Sequence, residues 1–98
     1  MKVAKMTDAE VSAAITRLNG WTVQNGKLHR EYKFPDFKHA IDFMVAAVPG
    51  IEKMNHHPEW ANVYNRVTVD LTTHDSGGIT QNDFALAVLL EEVSKKIL

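Results

Sequence analysis

The spacing of hydrophobic and polar positions changes several times along this chain, and each change marks an element. Thr7 and Glu10 form a capping-box pair, in which a hydroxyl and a carboxylate three residues apart satisfy each other's backbone N–H groups. Met6 and Val11 have the spacing of the accompanying hydrophobic staple. A helix is predicted from Thr7 to the helix-ending pair Asn19-Gly20. Trp21-Thr22-Val23-Gln24 alternates as a short strand, Asn25-Gly26 is a two-residue hairpin signal, and residues 27–34 alternate as its partner. Pro35-Asp36 opens a second helix, with Phe37, Ala40, Ile41, Met44, Val45 and Val48 on one face. Pro49-Gly50 is expected to end or kink it, leaving a short turn over 51–54. A second hairpin is predicted over about 60–73. The last helix starts at Thr80, where Thr80 and Asp83 make another capping box and Ile79 and Phe84 another staple. Leu86, Leu90, Val93 and Ile97 form its stripe. Residues 84–90 are apolar nearly all round, which predicts cover on a second side by another subunit.

The order is α-β-β-α-β-β-α. It predicts an α+β fold, one domain over 1–98, with a four-stranded antiparallel sheet and helices packed on one face. Two registers of the second hairpin are open. A two-residue loop at Asn65-Arg66 pairs Tyr64 with Val67 and sets His57 opposite His74. A three-residue loop over 64–66 pairs Val63 with Val67, sets His56 opposite His74 and makes the better apolar face from Ala61, Val63, Val67, Val69 and Leu71. Pro58 cannot donate to a ladder, so the histidines are expected just beyond its end.

Composition narrows the function classes. The chain has 98 residues, 45% hydrophobic, with 11 basic and 12 acidic residues and a net charge of -1. That balance argues against nucleic acid or a membrane surface as partner. With no cysteine, disulfides and cysteine-rich zinc sites are excluded. The N-terminal residues lack the apolar run of a signal peptide and no apolar run spans a membrane, so a cytoplasmic protein is expected.

The candidate chemistry is a set of three histidines at the ends of the second hairpin: His56 and His57 upstream, His74 downstream. Imidazoles exchange protons near neutral pH, so three together suit acid/base catalysis without a metal. His29, on a strand, and His39, in a first helical turn, read as ordinary hydrogen-bonded residues. Asp83 has equal claims as a helix cap and as a site residue. Trp60 reads as core or pocket wall. Glu52 is raised only by its spacing before the histidines, and Gly77-Gly78 reads as a plain turn. A three-histidine zinc site is the next alternative, but adjacent histidines diverge in an extended chain and no His-x-His spacing is present.

Glu52-Lys53-x-x-His56-His57-Pro58-x-Trp60-x-Asn62-Val63-Tyr64-Asn65, then Thr72-Thr73-His74, then Gly78-Ile79-Thr80-x-x-Asp83 resembles the pterin-4a-carbinolamine dehydratases. The resemblance implies removal of water from 4a-hydroxytetrahydropterin to give quinonoid dihydropterin, with no metal and no cofactor. This would serve tetrahydropterin recycling behind aromatic amino-acid hydroxylases. It implies His56, His57 and His74 as catalytic residues. It places Glu52, Asn55, Pro58, Trp60, Thr72, Thr73 and Asp83 around the substrate, with Glu52 and Asp83 orienting imidazoles and Pro58 and Trp60 walling the ring. It also implies a homo-oligomer, dimer or tetramer. The alternatives are a binding or dimerisation partner of another protein, as relatives in animals are of a homeodomain factor, and a related pterin enzyme with a different substrate. Asn55 stands where some relatives carry Asp, a change that lowers a neighbouring histidine's basicity if that carboxylate tunes it. Pro49-Gly50 interrupts a helix that runs on in relatives and is expected to shift Glu52.

Overall fold

A computed structural model describes residues 3–97; Met1, Lys2 and Leu98 lie outside the described residues, so the N-terminal stretch read above is seen only from Val3. The first helix, α1 (Asp8–Ile15), starts where its cap predicts. The Glu10 N–H donates to Thr7 Oγ1 at 3.1 Å and the Thr7 N–H to Glu10 Oε1 at 2.8 Å. It ends sooner than Asn19-Gly20, because the Arg17 and Leu18 N–H groups close tighter turns on Ala14 and Ile15. Strands β1 (Thr22–Gln24) and β2 (Lys27–Lys33) follow. Asn25 and Gly26 both take positive φ between them, as a twist-matched two-residue hairpin requires.

A single helix, α2 (Phe37–Met54), then crosses to the second hairpin, β3 (Glu59–Val63) and β4 (Arg66–Leu71). A one-turn 3-10 helix (His74–Ser76) leads to α3 (Gln81–Ile97). The sheet is antiparallel in the order β1-β2-β4-β3. Leu28, Tyr32, Val67, Val69 and Leu71 bury one face of it against the helices. The fold is therefore the expected α+β arrangement with helices on one face.

Three local expectations are corrected. The α2 helix does not stop at Pro49-Gly50. Pro49 falls on the exposed side, beside exposed Val45 and Val48, where a carbonyl freed from its helical partner meets water. Gly50 instead faces α3, and a Cβ there would come within 2.7 Å of Leu89 Cδ2. The buried face of α2 is also rotated from the predicted stripe. Ala40, Phe43, Ala47 and Ile51 are buried, whereas Phe37, Val45 and Val48 are exposed. Phe43 decides this, because its ring packs against Tyr32 at 4.9 Å and Phe34 at 5.1 Å.

Neither expected register of the second hairpin occurs. Val63 pairs with Arg66, Trp60 with Val69 and Glu59 with Asp70, so the loop is Tyr64-Asn65. The Phe34 N–H donates to Asn65 O at 2.8 Å, and Asn65 Nδ2 donates back to Phe34 O at 3.0 Å. Asn62 Nδ2 donates to Tyr64 O and Arg66 O, closing the turn from inside. Trp60 thus shares the core face with Val67 and Val69, and Ala61 and Val63 turn outward.

The α3 helix is covered mainly by its own chain: Leu86, Ala87 and Leu90 are fully buried and Val88 is exposed. Glu91 ties this helix to the first hairpin, its Oε1 accepting from Trp21 Nε1 at 2.7 Å, Tyr32 OH at 3.0 Å and Arg30 Nε at 3.1 Å. Burial, and then the Glu91 carboxylate, push the Tyr32 phenol well above its usual range.

Candidate active site

Three chain segments meet at one end of the sheet. The first is the exit from α2. Asn55 caps that helix in the left-handed region, at φ 50°, where Asn is among the best tolerated non-glycine residues. His56, His57 and Pro58 run from this cap into β3. The second is the turn after β4, where Thr73 and Gly78 exchange backbone hydrogen bonds around the 3-10 helix that begins at His74. The third is the start of α3 at Thr80.

Asp83 binds the three together. It is fully buried, with Oδ1 2.6 Å from His56 Nε2. Its Oδ2 accepts from Thr73 Oγ1 at 2.9 Å and from the Thr80 N–H at 2.9 Å. Thr73 gives its only hydroxyl hydrogen to Asp83, so the 2.8 Å contact between the two threonine hydroxyls has Thr80 as donor. A single carboxylate thus both caps α3 and holds an imidazole.

The other two histidines have their own carboxylates. His57 Nε2 lies 2.6 Å from Glu52 Oε2, and His74 Nε2 lies 3.0 Å from Glu59 Oε2. Side-chain exposure separates the three: 13% for His56, 56% for His57 and 78% for His74. In all three, Nε2 faces the carboxylate. A neutral imidazole that donates from Nε2 to a carboxylate keeps a lone pair on Nδ1. Glu52 reaches His57 from the last turn of α2, so the run of that helix through Pro49-Gly50 delivers it to the histidines.

The remaining candidates fall around this frame. Trp60 is half-buried and meets Phe43 edge-on at 6.3 Å; Pro58 and Thr72 are half-buried, and Asn55 is exposed. Thr73 is engaged within the protein through hydroxyl, N–H and C=O alike, its hydroxyl donating to Asp83. His29 and His39 lie apart, paired with Asp70 at 2.8 Å and with the α2 cap Asp36 at 2.6 Å. Backbone and side-chain hydrogen bonds from His39 hold the Asp36 carboxyl below its usual range. Among the described residues, no three His, Asp or Glu side chains converge as metal ligands. A groove of about 420 Å³ borders the same loop beside Met6, Val11, Gly77 and Ile79, and no histidine lines it.

Glu59 is the residue that sequence reasoning missed. It follows the histidine-histidine-proline run directly, but its partner His74 is set by the hairpin register. Its other oxygen lies 2.5 Å from Lys27 Nζ, on the opposite hairpin. That ammonium, and then His74, hold the Glu59 carboxyl below its usual range, while Glu59 raises Lys27.

The chain is similar to known proteins over most of its length. The family model described as pterin 4 alpha carbinolamine dehydratase matches residues 4–93. A putative pterin-4-alpha-carbinolamine dehydratase of Solibacter usitatus is 58% identical over 90 residues, covering 92% of this chain and 95% of the relative. One of the same name from Rhizobium johnstonii is 42% identical over 98 residues, covering 98% and 97%. Among solved structures, a Brucella melitensis protein named as a transcriptional coactivator/pterin dehydratase superposes with a TM-score of 0.88. It shares 39% identity, with coverage of 92% of this chain and 98% of that one.

Proposed function

The chain belongs to the pterin 4 alpha carbinolamine dehydratase family, and from that premise we propose that it removes water from 4a-hydroxytetrahydropterin by histidine acid/base catalysis. The observation that carries the reading is the set of three imidazoles, each with Nε2 on its own carboxylate and Nδ1 left to exchange a proton. The reaction breaks the C4a–O bond, with one proton delivered to the departing hydroxyl. It also takes the proton from N5, whose electrons close the C4a=N5 double bond of quinonoid dihydropterin. One imidazolium and one neutral imidazole are sufficient, and the atoms balance with no cofactor consumed.

In this reading His56 and His74 handle the two protons and His57 completes the set. Asp83 and Glu52 fix the orientation of His56 and His57. Trp60 and Pro58 offer apolar surface to the flat ring, Thr72 offers a hydroxyl to its polar edge, and Asn55 aims the two histidines by ending α2 in a left-handed turn. The protein would serve tetrahydropterin recycling in the cytoplasm as a homo-oligomer. Exposed Phe37, Val45 and Val48 on α2 support that assembly better than α3 does. A monomer in sedimentation at micromolar concentration would refute the oligomer.

The deciding experiment follows absorbance as 4a-hydroxytetrahydropterin, generated in situ, loses water in the presence of wild type or His74→Ala. A rate far above the spontaneous one, lost in the variant, is expected. A wild-type rate equal to background would move the function to another pterin or to a protein-binding role, such as the name of the Brucella structure carries.

A further inference from the structure

The open face of the sheet carries a charged row that meets the site described above at Glu59. The register sets Glu59 on β3 directly opposite Asp70 on β4, and Asp70 opposite His29 on β2. Two carboxylates side by side repel. Each is relieved by a different cation or imidazole: Asp70 Oδ1 lies 2.8 Å from His29 Nδ1, and Glu59 Oε1 lies 2.5 Å from Lys27 Nζ. The pairing matters because it divides the labour of Glu59. Lys27 occupies one oxygen and fixes the rotamer, leaving Oε2 free to meet His74 Nε2 at 3.0 Å. Asp70, engaged by His29, does not compete for His74. Among the described residues that imidazole has no other side-chain hydrogen-bond partner, and its side chain is 78% exposed at the start of a 3-10 turn.

The geometry points to Glu59, clamped by Lys27, as the positioning residue that holds His74 in its Nε2–H tautomer and so keeps Nδ1 available for proton transfer to the pterin. Asp83 and Glu52 perform the same service for His56 and His57, so each histidine has one carboxylate. The inference rests on the dehydratase reading, but its geometric half can be read without any substrate.

Glu59→Gln is the informative change. A side-chain amide both donates and accepts, so it no longer specifies which imidazole nitrogen carries the hydrogen. Nitrogen chemical shifts of His74 in the free protein are expected to change from a single Nε2–H form to a mixture of tautomers. In the dehydration assay kcat is expected to fall about tenfold with KM within twofold, a fraction of what complete loss of an acid/base residue costs. Lys27→Met should move both readouts the same way by less, about twofold in kcat, because Glu59 remains but is no longer clamped. Unchanged His74 shifts in Glu59→Gln would overturn the pairing. Mixed tautomers with an unchanged kcat would overturn its catalytic role. A wild-type chain without dehydratase activity would instead remove the functional reading, and the nitrogen shifts would still decide the pairing.

Discussion

The His56–Asp83 and His74–Glu59 pairs share the same two side chains' chemistry and differ in nearly everything else. Asp83 is fully buried, accepts three hydrogen bonds and starts a helix, whereas Glu59 sits on an edge strand bonded to Lys27, and its imidazole is largely in water. A buried carboxylate that loses its partners leaves several polar groups without replacement, while an exposed one exchanges its partner for solvent. The inner pair is therefore part of the fold as well as of the site. The outer pair can be altered with little structural consequence.

The largest test of that contrast is Asp83→Ala. It strands His56 Nε2, the Thr73 hydroxyl and the Thr80 N–H together, and should cost about 3–5 kcal/mol in urea denaturation. A loss below about 1 kcal/mol would erase the distinction. His74→Ala, on the outer pair, should lower the dehydration rate by about 100-fold with stability held within about 0.5 kcal/mol. A large stability loss there would make the outer pair structural too. Glu52→Gln, also exposed, should reduce kcat by roughly fivefold and leave the denaturation midpoint unchanged.

The smallest effect is acid dependence. The Glu59 carboxyl lies below its ordinary value of 4.5 because Lys27, and then His74, bond to its charged form. A lowered folded value contributes stability that is present above that ordinary value and is lost as pH falls through the folded one. Wild type should therefore lose slightly more stability than Lys27→Met on acidification from neutral pH to below 4. Identical acid profiles for the two would show that the clamp contributes nothing.

What the sequence made legible was local. The Thr7–Glu10 box and the Asn25-Gly26 turn are decided by residues within a few positions, and both occur. Asp83 was readable from its place three residues after Thr80, although only the fold shows that one carboxylate serves helix and histidine. The β3–β4 register was not readable, because it is fixed by Asn65 reaching Phe34 across a different strand. The α2 face was misread because its apolar residues outnumber what one face can bury, and the choice depended on the rings of Tyr32 and Phe34. Glu59 was hidden for the same reason as the register, since both its partners lie outside its own strand.

The two tryptophans sit in unlike surroundings, and this gives the chain a built-in pair of optical probes. Trp21 is 5% exposed, its indole N–H spent on Glu91, so iodide in solution should barely quench it. Trp60 is half-buried on the edge strand, next in sequence to Glu59, so iodide should reach it more readily. Trp21→Phe would silence the background and leave a single fluorescent reporter, which on the proposed reading follows pterin occupancy.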